Sequence, residues 1–273
     1  MIESKMRRRL HVTVTILMVT IWLAPGLWLI NISLKTQGQL FVREPTLIFK
    51  PTLANFGVAF TQYGILSDAL HSSIIAGTAT LITLLLATPM VYGLTRFRFP
   101  FRMGLLGWVL SLRMLPPIAI VIPFYTLYTS WRLNDTFPGL IIAYLPVIIP
   151  FGVWLMYSFA QDLPRSLDEA AMIDGSSRWQ TFYNVILPLM RPAMAVTAIF
   201  CFLEIWNEFV LALILSGPNT KTVSIGMSEF ITEHAVEWGP MAAASLVLLI
   251  PLLIVAYFLQ NSLVRGLTLG SVR

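Results

Sequence analysis

The sequence has few charged residues and a single cysteine. Aspartate, glutamate, lysine and arginine make up only 11% of the 273 residues, whereas soluble domains carry about a quarter. This scarcity excludes an ordinary soluble domain, and the hydrophobic fraction of 57% indicates a membrane protein. Cys201 lies in an apolar run, so no disulfide can form within the chain, and a small buried side chain is its expected role.

Motifs for nucleotide binding, metal binding and hydrolysis are missing as well. No Gly-Lys pair occurs, so the chain has no GxxxxGK[ST] phosphate loop, and any ATP has to bind to another subunit. The three histidines are scattered, with no HExxH motif and no clustered carboxylates, which argues against a metal site. There is also no GxSxG motif of a serine hydrolase. The sequence therefore predicts a protein that is not an enzyme and has no catalytic residues.

Long apolar runs are abundant, and six of them are long enough to cross a bilayer as helices of about 20 residues. We predict spans at about 10–30, 69–94, 103–128, from the turn at 131–138 to about 160, 193–215 and 239–260. Prolines inside several spans, above all the third, are expected to kink or break those helices. We predict an all-α membrane protein with external loops at 31–67 and 216–238 and a short tail from 261.

The basic residues are distributed unequally over the two sides of these spans. Twelve lie on the side of the N-terminus, at 5, 7, 8, 9, 96, 98, 102, 165, 178, 191, 265 and 273. Five lie on the opposite side, at 35, 43, 50, 132 and 221. By the positive-inside rule, both termini and the loop at 161–192 face the cytoplasm. Because the basic residues flank apolar runs, membrane lipid is the expected contact and nucleic acid is not.

The loop at 161–192 is the least apolar long segment in the second half of the chain. Ser166 stands three residues before Glu169, and Ser177 stands three residues before Gln180. Each pair fits a capping box, in which the two side chains satisfy free N–H groups of a first helical turn. Two short helices are therefore predicted to begin in this loop.

Glycine and proline indicate where these two helices end. Gly175 stands at the expected end of the first helix, because glycine adopts the left-handed conformation without steric cost. Pro188 removes a backbone donor and is predicted to end the second helix, with Pro192 closing the segment. The predicted helix, glycine turn and helix at a membrane surface are suited to docking into a partner.

The residues of this loop resemble a known motif. Glu169-Ala170-Ala171, Gly175 and Leu187-Pro188 resemble the EAA loop of the membrane subunits of bacterial ABC importers. The fuller pattern, EAA-x-x-DG-x-x-x-W-x-x-F with a terminal LP, is similar to the second permease of maltose-type carbohydrate importers. Val185 departs from the isoleucine common in that family by one methylene. The prolines of the third span, Trp206-Asn207 and the closing Gly266-Leu-Thr-x-Gly270 extend the resemblance over nearly the whole chain.

The resemblance implies the type I ABC importer permease fold in the bacterial inner membrane. It implies a core transmembrane domain at 69–262, preceded by a helix and external loop at 1–68 and followed by a cytoplasmic tail at 263–273. The implied partners are a second homologous permease, two ATP-binding cassette ATPases and an external solute-binding protein. No cofactor is implied for this chain, since ATP and Mg²⁺ belong to the ATPases.

The resemblance also assigns the loop the role of coupling helix, which docks in a groove of the ATPase. The implied coupling residues are Glu169, Ala170, Ala171, Asp174, Gly175 and Arg178. The expected mechanism is that closing of the ATPases on ATP moves this helix as a lever and reorients the kinked spans.

A few polar residues inside the spans are candidates for the substrate pathway. Glu204 and Glu208 are spaced to share one face of the fifth helix, with Trp206 and Asn207 beside them. Ionisable side chains in a membrane helix are functional candidates, because exposure to lipid costs several kcal/mol, on the order of 3 at the bilayer centre. We expect this face to line the path or the contact with the partner permease, and the alternative is that these residues only join helices or lie near the external boundary. Arg113 is a further candidate, with pairing to a carboxylate or carbonyl favoured over substrate binding.

Other functions remain open at this level. One alternative is half of a secondary transporter or channel driven by an ion gradient, and another is a membrane scaffold, which would leave the docking loop without a role. A neighbouring reading frame for a P-loop ATPase or a secreted binding protein would favour the importer. Maltose-like oligosaccharides, disaccharides, polyols and glycerol phosphate derivatives are all compatible with the resemblance.

Overall fold

The computed structural model describes residues 2–42, 48–233 and 235–269. All regular elements in these ranges are helices, apart from one isolated bridge between Ile231 and Val236. Five helices are long and apolar enough to cross a membrane, and there are six when a bent helix pair is counted as one span. The prediction of an all-α protein with six spans is thus confirmed.

Thirteen α-helices are present in the described ranges. They are α1 (Ile2–Ser33), α2 (Gln37–Leu40), α3 (Ala54–Thr61), α4 (Ile65–Arg96), α5 (Arg102–Ser111), α6 (Pro117–Trp131), α7 (Phe137–Ala160), α8 (Ser166–Ile173), α9 (Arg178–Thr181), α10 (Leu187–Trp206), α11 (Val210–Leu215), α12 (Val223–Ser228) and α13 (Trp238–Leu269). The helix α13 continues through residues 261–269, where a tail was predicted. The predicted external loops hold the short helices α2, α3 and α12.

The third span is broken, as its prolines predict. A short 3₁₀ turn at Leu112–Met114 follows α5, and the chain is extended at Leu115 and Pro116 before α6 begins. Neither Pro116 nor Pro117 has a backbone N–H, so the α-helical hydrogen bonds cannot run through this point. The two halves of the span meet at a bend of 87°.

The predicted break at Pro188 is wrong. A π-helical turn at Phe182–Ile186 joins α9 to α10, so the helix is continuous from Arg178 to Trp206. Pro188 directly follows the π-helical turn and Pro192 lies inside α10, so neither proline ends the helix. A π-helical turn is one of the irregularities by which a helix accommodates a local break in its hydrogen bonds. The fifth span therefore begins well before the predicted residue 193, and it ends before residue 215 because α11 is a separate helix.

The chain divides into two compact units, Met1–Leu66 with Gly226–Ile250 and Ser67–Ile225 with Pro251–Arg273. In the first unit, the buried Asn55 amide donates hydrogen bonds of 2.8 Å to the carbonyl oxygens of Ser33 and Lys35. Gly239 is required at this contact, since a Cβ there would lie 2.7 Å from the Asn55 amide. These bonds hold the residues that follow α1 against α3.

In the second unit, α4, α5, α7 and α10 share a buried apolar cluster near the candidate coupling loop. Its buried members are Ala87, Val91, Leu94, Leu106, Val109, Val153, Met156, Tyr157, Ala160, Ile186 and Met190. Gly152 of α7 allows close approach of its neighbours, because a Cβ there would lie 2.7 Å from the Thr83 methyl group and 3.4 Å from that of Thr197. The predicted coupling loop is thus carried by a packed set of spans.

A second polar contact joins the turn before α7 to the segment after α11. The carboxylate of Asp135 accepts hydrogen bonds from the backbone and side chain of Asn219 and, at 2.8 Å, from the Thr220 hydroxyl. Partial burial alone would raise the pKa of Asp135, but these hydrogen bonds outweigh it and hold the pKa below its ordinary value. The charged carboxylate therefore stabilises the contact.

Replacing Asp135 by asparagine should lower the stability of the second unit by about 1–3 kcal/mol at neutral pH. Because the folded-state pKa is lowered, the stabilisation is complete above the ordinary carboxyl pKa and is lost as the pH falls through the folded-state value. The difference in unfolding temperature between wild type and D135N should therefore shrink on acidification toward pH ~3. A difference independent of pH would contradict this assignment.

Candidate coupling site and polar groups within the spans

The predicted coupling loop forms a short helix, a glycine turn and a second helix start. The helix α8 ends in a Schellman motif, in which the N–H of Ser176 donates to the Ala171 carbonyl and that of Gly175 to the Met172 carbonyl. Gly175 has φ +88°, the left-handed conformation predicted from the sequence. The turn thus satisfies carbonyl groups that the helix end would leave free.

One of the two predicted capping boxes is present. The Ser177 hydroxyl accepts from the backbone N–H of Gln180, and the Gln180 side chain accepts from the Ser177 N–H at 2.7 Å. The predicted box of Ser166 and Glu169 is absent, because α8 begins at Ser166 itself and Arg165 occupies the N-cap. The helix starts one residue earlier than predicted, so the Ser166 hydroxyl is not in the capping position.

The surface of α8 is exposed and partly apolar. Glu169, Ala170 and Asp174 are exposed and Ala171 is half-buried. Ile173 is 85% exposed. An exposed patch that combines small and apolar side chains with carboxylates is typical of a protein contact.

A buried ion pair fixes α8 to the end of α4. Arg96 Nε lies 2.9 Å from Asp168 Oδ2, and the two side chains are only 7% and 10% exposed. Arg165, at the N-cap of α8, donates a hydrogen bond of 3.0 Å to the Thr95 carbonyl. These contacts couple the position of α8 rigidly to the second span.

The start of α9 is attached to the same end of α4. The guanidinium group of Arg178 lies 5.1 Å from the ring centroid of Phe97, a distance suited to a cation–π contact. Trp179 is 67% exposed, and Phe182 packs on Tyr92 at 5.0 Å between centroids. The guanidinium group of the predicted coupling residue Arg178 therefore contacts Phe97, and both Arg178 and Trp179 are exposed.

Three residues of this site, Arg96, Arg165 and Asp168, were not predicted from the sequence. Asp168 lies beside the recognised motif, and Arg96 was counted only as a charge of the cytoplasmic side. One signal was present: Asp168 lies one residue before the Glu-Ala-Ala triplet, on the face of α8 that is opposite to the exposed Ala170.

Within the spans, Arg113 and Glu204 form an ion pair. Arg113 Nη2 lies 3.1 Å from Glu204 Oε1, and the guanidinium group stacks on Phe151 at 4.1 Å from the ring centroid. The contact joins the 3₁₀ turn of the broken third span to α7 and α10. The preference for Arg113 as a carboxylate partner is thus in agreement with the structure.

The predicted shared face of Glu204 and Glu208 is wrong. The helix α10 ends at Trp206, and the Glu208 carboxylate instead accepts from the backbone N–H groups of Leu211 and Ala212 at the start of α11. A carboxylate at a helix N-terminus is favoured by the free N–H groups there. Glu208 therefore caps a helix, whereas Glu204 pairs with Arg113.

Trp206 is buried, whereas the neighbouring Asn207 is exposed. Trp206 is only 5% exposed and stacks on Phe202, with the ring centroids 5.5 Å apart. Asn207 is exposed and donates a hydrogen bond of 2.7 Å to the Leu203 carbonyl. Asn207 is therefore the more exposed of the two residues.

Glu204→Gln should lower solute uptake severalfold while changing the free energy of unfolding by only about 1 kcal/mol or less. The reason is that the Arg113 and Glu204 side chains are 39% and 28% exposed, so neutral glutamine leaves no fully buried charge without a partner. Uptake by membrane vesicles and thermal unfolding of the purified protein measure the two effects separately. Glu233→Gln, at an exposed glutamate outside the spans, is the control. Normal uptake by E204Q would remove Glu204 from the pathway.

Comparison with known proteins identifies the family. Residues 79–269 match the model of the binding-protein-dependent transport system inner membrane component. The chain belongs to this family. The matched region includes α8, Gly175 and the Arg96–Asp168 ion pair. The protein is therefore a membrane permease subunit of an importer, and ATP hydrolysis is carried out by separate subunits.

Three similar proteins that are named as permeases of sugar transport systems match nearly the full length of this chain. The trehalose/maltose transport system permease protein MalG of Thermococcus litoralis is 34% identical over 281 residues, which covers 99% of each chain. The diacetylchitobiose uptake system permease protein NgcG of Streptomyces coelicolor is 32% identical, covering 94% of this chain and 86% of the relative. The trehalose transport system permease protein SugB of Mycobacterium tuberculosis is also 32% identical, covering 92% of each chain.

A solved structure shows the same fold. A chain in the crystal structure of a bacterial ABC transporter involved in alginate import superposes with a TM-score of 0.73 at 17% identity. The superposition covers 95% of this chain and 97% of the other. The type I ABC importer permease fold inferred from the resemblance is thus confirmed. The family match and the relatives support an importer and not a secondary transporter.

Proposed function

We propose that this chain pairs with a second, homologous permease and two ATPase subunits to import a sugar or sugar-like solute. ATP and Mg²⁺ bind to the ATPases, and an external binding protein delivers the solute. Both termini and α8 face the cytoplasm, as the distribution of basic residues indicates. The observation that supports this proposal most strongly is an exposed helix fixed by a buried ion pair to a membrane span.

The exposed face of α8 is the proposed contact with the ATPase. Ala170 and Ala171 are small, so a groove can approach the helix backbone closely, and Ile173 offers an apolar side chain for burial. Glu169 and Asp174 provide carboxylates to donors on the ATPase. Such a contact buries the apolar side chains and pairs the charged ones at the rim.

Two structural connections link α8 and the coupling loop to the membrane spans. The Arg96–Asp168 pair attaches α8 to α4, and the helix from Arg178 to Trp206 runs without interruption from the loop through the fifth span. A displacement of α8 therefore moves two spans together. The bend of 87° in the third span provides a point where rigid segments can reorient. Alternating access results from this rearrangement.

The proposed solute is a carbohydrate because several relatives are transporters of trehalose, maltose or diacetylchitobiose by name. Arg113, Glu204 and Asn207 offer hydrogen-bonding groups that are not fully buried. Trp206 is buried and packs on Phe202, and its proposed role is to shape the wall of the path. Glu208 maintains the start of α11 and thereby the position of this wall.

Affinity purification of the tagged chain, followed by uptake measurements in proteoliposomes, tests the proposal. A P-loop ATPase and a second permease should copurify. Uptake of a carbohydrate should require both ATP inside the vesicle and the binding protein outside. A candidate solute comes from a binding screen of the external protein. Uptake by the purified chain alone, driven by an ion gradient, would contradict the proposal.

A further inference from the structure

A basic cavity lies where α4 ends and α5 begins. It has a volume of about 730 Å³ and is open to solvent, and Arg98, Arg102 and Arg165 line it. Within the described part of the chain, neither Arg98 nor Arg102 has an ion pair or a side-chain hydrogen bond. Three guanidinium groups around one cavity produce a positive potential that no carboxylate of the lining compensates.

The location of this cavity is the boundary of the membrane. By length and composition, the second span ends at Arg96 and the next apolar helix begins at Arg102, so we expect the short connection 97–101 at the membrane surface. Phe101 is 87% exposed and Met103 is 60% exposed, and both line the cavity. Guanidinium groups beside exposed aromatic and apolar side chains match the zone between lipid headgroups and acyl chains.

The start of α5 adds further donors. Phe101, the N-cap residue, has φ +63° and provides no side-chain hydrogen bond to the helix. Met103 and Gly104, in the first turn, line the cavity with their neighbours. Free N–H groups in the first turn of a helix favour an anion such as phosphate, and they act here together with the arginine side chains.

We propose that this cavity binds the phosphate headgroup of an anionic phospholipid. Arg98 and Arg102 hold the phosphate, and the acyl chains lie along exposed apolar side chains of α5 such as Trp108, which is 61% exposed. A free phosphate would leave Phe101 and Met103 in water, and the position of the cavity between two membrane spans favours a lipid over an acidic protein surface. The bound lipid belongs to the cytoplasmic leaflet, because this end of α4 and α5 is on the side of the membrane that is proposed to face the cytoplasm.

This site would also connect the lipid to the coupling loop. Arg165 lines the cavity and stands directly before α8, and its guanidinium group is held by the Thr95 carbonyl. A bound headgroup therefore neutralises positive charge at the base of α8 and adds a contact there. The lipid is expected to stabilise the loop in addition to the Arg96–Asp168 ion pair.

Native mass spectrometry of the complete transporter tests the site. The complex is purified in detergent with equal amounts of phosphatidylglycerol and phosphatidylcholine, and the retained lipids are counted. Wild type should prefer phosphatidylglycerol, and R98Q/R102Q should lower this preference about tenfold or more. The double variant R132Q/R191Q, at exposed arginines outside the cavity, removes the same charge and should bind lipid as wild type does. R98K/R102K should restore most of the preference.

Three results would overturn the assignment. Equal retention by R98Q/R102Q and R132Q/R191Q would show that overall charge, and not this cavity, selects the lipid. Displacement of the lipid by excess inorganic phosphate would assign the site to a free anion. Loss of the ATPase subunits from R98Q/R102Q with unchanged lipid retention would assign it to a protein contact. Lipid counting requires no transport, so such a failure leaves the proposed importer function untouched.

Discussion

Replacing Gly175 by valine is expected to reduce ATP-coupled uptake by tenfold or more. Gly175 has φ +88°, and a Cβ atom added to it would meet no neighbouring atom within 4 Å, so the backbone conformation alone opposes a side chain. The left-handed conformation costs an L-residue roughly 1–2 kcal/mol, and more for a β-branched one. Valine would therefore unwind the Schellman turn and change the angle at which α8 meets its partner.

Asparagine at the same position provides the matched control. It tolerates the left-handed conformation better than other non-glycine residues, so Gly175→Asn should retain most of the coupling. Uptake and ATP hydrolysis are measured in the same proteoliposomes. In G175V, hydrolysis should continue without uptake, or the ATPase should dissociate. Normal coupling in G175V would contradict the role of this turn.

Asp168→Ala is expected to have a still larger effect. It leaves the Arg96 side chain, only 7% exposed, without its counter-charge. Breaking a buried pair on one side costs about 3–5 kcal/mol, because the remaining charge is buried and unpaired. The helix α8 should therefore separate from α4, and the ATPase subunits should be lost from the purified complex or hydrolyse ATP without uptake.

Two further variants distinguish the loss of the Arg96–Asp168 pair from the loss of any carboxylate in the loop. Asp162→Ala removes an exposed carboxylate of the same loop and should leave the complex intact. The double variant R96M/D168L removes both buried charges, so assembly should recover relative to D168A. Recovery of assembly without recovery of uptake would show that the ion pair itself transmits the motion. Identical behaviour of D168A and D162A would exclude the pair from coupling.

The sequence predicts the spans well because their apolar runs are long and their signal is local. Gly175 and the capping box of Ser177 were also predictable, since each depends on a few neighbouring residues. The exposed face of α8 follows from the resemblance of Glu169-Ala170-Ala171 to a known loop. These features require no information on distant contacts.

The remaining features depend on tertiary structure. Pro188 predicted a helix end, but the helix continues through it from Arg178 to Trp206, with a π-helical turn directly before the proline. Glu208 was assigned to a helical face from its spacing, whereas its carboxylate captures the N–H groups of α11. Arg96 and Asp168 are far apart in sequence, so only the folded chain reveals their pairing.

Crosslinking from α8 tests the central claim most directly. Ala170→Cys introduces an exposed thiol, while the native Cys201 is fully buried and should not react. In inside-out vesicles, the new cysteine should crosslink to the bound ATPase, and after the ATPase is stripped off it should react with a membrane-impermeant maleimide. In intact cells it should be protected from the maleimide. Labelling of residue 170 from outside intact cells, or the absence of any crosslink to an ATPase, would contradict the account.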